Sequence, residues 1–274
     1  VAIVETEIWP NFLAECAARG IPPVIVNGRL SERSFRGYRK FRWFFAPVLG
    51  VFRAVAAQTG EDAERFVALG APREIVTVAG NLKFDVSLPA TQGTGLPSLL
   101  AGERASGVLW VVAGSTHEGE EAAVFRAFLS ARERNRSLKL LIAPRHPERF
   151  DAVEAMLRRE GVAVTRRTEV RSGARGLDAP VLLLDSVGEL AGAYAAADLA
   201  FVGGSLVPKG GHNVLEPAGQ GVPTLVGPHM ENFREIADIF LAAGALLQVS
   251  GGEALAERFL RFAEDPSAFA ETGR

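Results

Sequence analysis

Short apolar runs recur along this chain, each followed by a stretch whose apolar residues fall at helical spacing, and this alternation admits few folds. Strands that alternate with helices return parallel to one another, and a parallel sheet covered on both faces reads as nearly continuous apolar strands. Such runs fall at 1–4, 23–26, 54–57 and 75–78, and then at 108–113, 138–143, 162–165, 181–184, 199–202, 224–226 and 245–249. Pro10 opens the first intervening helix and Gly20 ends it. Glu118, Glu120 and Glu121 crowd the start of another, where acids suit the positive end of the helix dipole, with Val124, Phe125, Phe128 and Leu129 on one face. Residues 89–107 are rich in Gly, Pro and Ser. The expected organisation is therefore α/β, with a first domain over 1–88, a linker over 89–107 and a second domain over 108–274. Because the chain opens on Val1-Ala2-Ile3-Val4 without an initiator Met, the first domain is expected to lack its beginning, and the end at Arg274 is expected to be cut short.

Charge and cysteine usage narrow the partners. Lys and Arg total 30 against 32 acidic residues, a net charge of −2, so no global field draws nucleic acid and none is expected as a partner. The lone Cys16 excludes an internal disulfide and a multi-cysteine metal site. No apolar run reaches the roughly 18 residues needed to span a bilayer. One local patch stands out: Arg29, Arg33, Arg36, Arg39, Lys40 and Arg42 alternate with Phe35, Tyr38, Phe41, Trp43, Phe44 and Phe45. It reads either as a solvated helix face whose aromatics enter the core, or as a contact for an anionic lipid surface or acceptor.

Ligands of an open parallel sheet bind outside the carboxyl ends of the strands. His117, His146, His212 and His229 each follow a strand of the second part, and four histidines on one edge point to a polar site. The loop Gly203-Gly204-Ser205 through Lys209-Gly210-Gly211-His212-Asn213 brings backbone amides near an expected helix at 213–220, a phosphate-binding arrangement, unless its glycines serve only close packing. It has neither the Walker A nor the dinucleotide GxGxxG spacing. Glu216 is placed to accept from both hydroxyls of a ribose, or to complement the helix dipole. Arg145, in Pro144-Arg145-His146-Pro147, offers a fork for phosphate, with a surface ion pair as the alternative. Ser115 and Thr116 either cap the next helix or donate to a sugar carboxylate or phosphate. The histidines lack paired metal-site spacing, and no GxSxG elbow appears, so neither zinc nor a serine hydrolase is expected.

The strings ETEIWPN (5–11), NGRLSERS (27–34), AGNLKFD (79–85), GSTHEGEE (114–121), APRHPERF (143–150), FVGGSLVPKGGHNVLEPA (201–218) and GPHMENF (227–233) resemble the 3-deoxy-manno-octulosonic acid (Kdo) transferases of lipopolysaccharide assembly. The resemblance covers nearly the whole chain. It implies a GT-B architecture of two Rossmann-like domains, CMP-Kdo as donor substrate, a lipid A precursor as acceptor, and inverting transfer without metal or other cofactor. It also implies work at the cytoplasmic face of the bacterial inner membrane. By resemblance, CMP is contacted at Pro144 and Arg145, at Val187, Gly188 and Glu189, and at Asn213, Val214, Leu215 and Glu216. Without it, 187–189 is a plain helix start. Ser115, Thr116, Lys209, Gly210, Gly211 and His212 are expected around the donor's phosphate or sugar, and Glu5 and Glu7 either on the acceptor side or in local caps. The family's catalytic glutamate and membrane anchor lie upstream of ETEIWPN, so this chain is expected to bind CMP and transfer little or no sugar. A UDP-sugar transferase or epimerase is the alternative enzyme, and a nucleotide-sugar sensor or membrane-associated scaffold the non-catalytic one.

Overall fold

The computed structural model describes residues 1–5, 7–82, 95–170, 174, 176–269 and 272. The chain divides into two units, Val1–Val86 and Ser87–Arg274. The domain boundary expected after residue 88 falls within 83–94, outside the described residues.

The first unit holds β1 (Ala2–Val4), α1 (Pro10–Ala18), β2 (Val24–Gly28), α2 (Glu32–Arg39), α3 (Arg42–Leu49), β3 (Ala54–Ala57), α4 (Gly60–Leu69) and β4 (Val76–Val78). The strands form one sheet in sequence order, every pair parallel. Ile3, Leu13, Ile25, Val55 and Phe66 build its core. The aromatics of the basic segment divide between core and surface. Phe35, Tyr38 and Phe45 pack against the core, whereas Phe41, Phe44 and Trp43 are exposed, Trp43 to 76%. No residue of α2 is buried.

The second unit comprises α5 (Gly95–Ala105), β5 (Leu109–Thr116), α6 (Glu120–Arg134), β6 (Leu138–Pro144), α7 (Phe150–Arg159), β7 (Val164–Arg166), β8 (Val181–Leu183), α8 (Leu190–Tyr194), β9 (Leu199–Val202), α9 (Leu215–Ala218), β10 (Thr224–Val226), α10 (Arg234–Ala242), β11 (Leu246–Gln248) and α11 (Gly252–Glu264). Its parallel sheet has the order β11-β10-β9-β5-β6-β8-β7. Alternation along β5 sends Val111 and Ala113 to one face, with Phe125, Phe128 and Phe259, and Trp110 and Val112 to the other, with Tyr194 and Ile236. Burial on both faces is what made these strands readable as apolar runs.

Two expectations are corrected. Residues 95–105 are no linker: they form α5, whose Leu96 and Leu100 enter the second core and whose Glu103 pairs with Lys139 of β6 at 2.7 Å. The Gly and Pro content masked a helical repeat of Leu96, Leu99, Leu100 and Glu103, with Pro97 tolerated in the first turn. The helix expected over 213–220 is only α9, four residues long, so it carries little dipole.

The topology singles out one place. From β5 the chain runs outward to β6, β7 and β8, then crosses to β9 on the other flank of β5. In open parallel sheets such a reversal marks the ligand crevice outside the strand ends, here the edge that carries the loops following β5 and β9.

Candidate functional site

The crevice is built by backbone before side chains. The β5–β6 register shifts between Gly114 and Thr116, and Ser115 at the shift is left-handed, with φ of 55°. This bulge pushes the Ser115 carbonyl towards β9, where a Cβ on Gly203 would lie only 2.4 Å from it. The Gly203 amide donates to the Gly114 carbonyl at 2.8 Å, closing the two loops on each other.

Glu120 then fixes the loop after β9. Its carboxylate, wholly buried, accepts from the amides of Gly204 (2.7 Å), Ser205 (3.0 Å) and Leu206 (2.8 Å), and from that of His117 (2.9 Å). Sequence reasoning treated Glu120 as one of several acids on a helix dipole and missed this. The expectation that the Gly-rich loop offers its amides to a phosphate is corrected for Gly203 to Leu206 and for Gly211. The amides of Gly203, Gly204, Ser205 and Leu206 are spent inside the protein, and that of Gly211 donates to the Gly204 carbonyl at 2.8 Å. Gly210 and Gly211 serve close packing, since a Cβ there would lie 2.3 Å from the Asn232 side chain and 2.4 Å from Met230 Sδ.

Polar side chains gather at the same edge. Pro144 is buried at the end of β6, and Arg145 is exposed beyond it, its amide donating to the Thr116 carbonyl at 2.9 Å. Lys209 is exposed on the loop after β9. Val214 is buried and Leu215 packs into the second core, leaving Asn213 and Glu216 half-buried at the edge. Asn213 binds both ways: its Oδ1 accepts from the Leu215 amide at 3.1 Å and its Nδ2 donates to Glu216 Oε1 at 3.2 Å. Burial raises the Glu216 pKa above the usual carboxylate value, opposed by the Asn213 hydrogen bond and by the charge of Arg145. Glu216 in turn lies near Tyr194, whose hydroxyl pKa is raised by complete burial and then by that carboxylate.

Three histidines converge. The rings of His117 and His212 lie parallel and meet edge to edge, with centroids 5.1 Å apart, and His146 stands edge-on to His117 at 5.3 Å. His229 takes a separate path, its ring 3.3 Å from Glu231 and its amide on the Ser205 carbonyl at 2.9 Å. Ser115 and Thr116 do not cap α6, whose N-cap is Gly119, and Thr116 is fully buried with its hydroxyl unpartnered.

The turn after β8 exposes Val187 and Gly188, the latter at φ of 88°, and leads into α8, which packs on α9. Glu189 is buried, its carboxylate engaged by Arg167 at 2.9 Å and by the Ser186 hydroxyl. In the first unit Glu5, left-handed at φ of 61°, and Glu7 are exposed beyond β1. Among the described residues no three His, Cys, Asp or Glu are grouped to hold a metal, and no helix is long and apolar enough to cross a membrane.

A family model described as 3-deoxy-D-manno-octulosonic-acid transferase (kdotransferase) matches residues 1–86. A 3-deoxy-D-manno-octulosonic acid transferase of Bordetella pertussis is 38% identical over 269 residues, covering 97% of this chain and 61% of that protein. The crystal structure of the C-terminal CMP-Kdo binding domain of WaaA from Acinetobacter baumannii is 34% identical with a TM-score of 0.59, over 64% of this chain and 91% of that one. A putative UDP-N-acetylglucosamine 2-epimerase from Listeria monocytogenes, 16% identical, matches in fold across 100% of this chain and 68% of that one, with a TM-score of 0.62. Parallel sheets and fold likeness together define an α/β protein of the GT-B class. Within that class the chain belongs to the Kdo transferase family. It spans about three fifths of the length of the curated relatives it matches.

Proposed function

We propose that this protein holds CMP-Kdo at the carboxyl edge of the second sheet and serves transfer of the Kdo group to a lipid A precursor. The observation that carries the reading is that the strand ends bring Arg145 to the same edge as Glu216, His117 and His212, near enough for its charge to act on all three. The 34% identity to a solved CMP-Kdo binding domain supports the choice of nucleotide. In this reading the Arg145 guanidinium pairs with the phosphate, Glu216 accepts from the ribose hydroxyls, and the exposed turn at Val187 and Gly188 borders the base. As the bond to the anomeric carbon lengthens, charge builds on the departing CMP, and Arg145 and Lys209 stabilise it without recourse to a metal or cofactor. The acceptor hydroxyl, losing its proton to a carboxylate, attacks from the opposite face and inverts the centre. Glu5 and Glu7 belong to the acceptor side.

Charge-assisted hydrogen bonds contribute about 1.5–3 kcal/mol, so Arg145→Ala is expected to weaken CMP binding by about 10- to 100-fold. Arg145→Lys should recover little, because an ammonium lacks the planar fork. Isothermal titration with CMP and UDP checks both points: wild-type affinity in Arg145→Ala contradicts the phosphate role, and tighter binding of UDP favours a UDP-sugar enzyme.

The proposed place of work is the cytoplasmic face of an inner membrane, with α2 and α3 towards anionic lipid. Arg33, Arg36 and Lys40 line one groove of α2, and Phe41, Trp43 and Phe44 stand exposed beside them. Each basic residue near an anionic surface is worth about 1 kcal/mol at low salt. Sedimentation with vesicles should show binding to anionic but not zwitterionic lipid, weakened by salt and by the double change Trp43→Ser with Phe44→Ser. Equal partition to both lipids counts against it.

A further inference from the structure

The His117–His212 contact has a consequence that the donor site alone does not require. The two rings are parallel within 3°, and their Nε2 atoms lie 2.8 Å apart. At that distance one nitrogen must donate and the other accept, so the two neutral rings carry opposite tautomers. Two Nε2–H groups facing each other would repel. Space for the contact comes from Gly204, left-handed at φ of 68°, where a Cβ would lie 2.9 Å from His212 Cδ2 and 3.5 Å from His117 Cδ2.

The charges facing the pair are mostly positive. Arg145 and His146 act on both rings and Lys209 on His117. Glu120 is the opposing charge on His117, and its two oxygens are already committed to four amides. Burial, then His117, Arg145 and His146, hold the His212 pKa down at about 4, and burial lowers that of His117. Beyond Glu120, the carboxylates at this edge are Glu216, on which the Arg145 charge acts, and exposed Glu148, 3.8 Å from the His146 ring.

We propose that His117 and His212 form a proton-coupled anion receptor, neutral when empty, which takes up one proton from solvent as the phosphate of a nucleotide donor enters beside Arg145 and Lys209. This rests on the donor reading above and adds a proton to it. The captured proton lies between the two nitrogens in a charge-assisted N–H···N bond, and the pair titrates as a unit. Because the complex binds more protons than the free protein, affinity rises as pH falls, by up to about tenfold per pH unit. Ribose hydroxyls donating to Glu216 favour its charged form, so binding there does not add to the uptake.

The test uses the methyl ester of CMP, whose single phosphate charge does not titrate near neutrality. Isothermal titration of the chain in buffers of different ionisation enthalpy is expected to show net proton uptake, with affinity rising between about pH 8 and pH 6. His117→Gln and His212→Gln should each bind more weakly and abolish the uptake. Binding without uptake in the unaltered chain overturns the proposal, as does uptake that persists in both variants. No binding of either the ester or CMP overturns the donor reading itself. Should either variant fail to fold, nitrogen-15 imidazole spectra of the unaltered chain decide: one ring protonated at Nε2 and its partner at Nδ1 is expected, and two Nε2–H tautomers overturn the proposal.

Discussion

Glu120→Ala is expected to lower the stability of the second unit by about 4 kcal/mol or more, since four buried amides lose their acceptor and each unsatisfied donor costs about 1–3 kcal/mol. The carboxylate binds the amides of His117, Gly204, Ser205 and Leu206 and is itself wholly buried, so water reaches the orphaned donors only if the loop opens. Glu120→Gln keeps the shape but turns an NH2 towards two of those donors, and about half the loss is expected. Because the chain has two units, one unfolding midpoint is a poor measure. Hydrogen exchange at the three consecutive loop amides reports the effect directly: their protection should collapse in Glu120→Ala while that of β3 in the first unit is unchanged. Retained protection at Gly204, Ser205 and Leu206 would show that the loop does not depend on this carboxylate. Loss of CMP affinity should follow, since the same loop carries Lys209 and His212 and leads into Glu216 of α9.

How this site could be read from sequence depends on which contacts are local. Parallel strands buried on both faces announce themselves as apolar runs, so Leu199–Val202 and Thr224–Val226 were legible to the residue. Arg145, His117 and His212 could be placed on one edge because topology alone puts strand ends together. That His117 and His212 touch, and that His229 does not join them, depends on backbone turns no spacing rule encodes. Glu120 was illegible as an anchor for a related reason: three of its four partners lie 84 to 86 residues away, and an acid in a first helical turn looks the same whether it faces water or a buried loop. The glycines misled in the opposite direction. Gly203, Gly210 and Gly211 resemble a phosphate cradle, yet what each avoids is another part of the protein. Helix α5 was hidden by its own Gly and Pro, although Leu96, Leu99 and Leu100 carried the helical period.

Gly203→Ala offers the sharpest test that the two loops must close on each other for the site to exist. The new methyl would lie 2.4 Å from the Ser115 carbonyl oxygen and 2.6 Å from the Thr116 Cα, both backbone atoms of a strand end paired to β6 and β9. A flexible side chain would swing aside, but here the sheet itself must shift. Overpacking of this kind costs about 1–3 kcal/mol and occasionally more, and a rigid obstacle puts Gly203→Ala at the upper end. Displacement of the β5 bulge also moves His117 away from His212 and Arg145 away from Glu216, so CMP affinity should fall by about tenfold or more even in molecules that remain folded. Gly102→Ala is the matched control: it lies in α5 with nothing within 4 Å of its added Cβ, and should stabilise by up to about 1 kcal/mol with CMP binding unchanged. Thermal melts and CMP titrations of the two variants side by side separate a general intolerance of alanine from a local collision. If Gly203→Ala binds CMP as tightly as Gly102→Ala, the site does not require the contact between the β5 bulge and the start of the β9 loop.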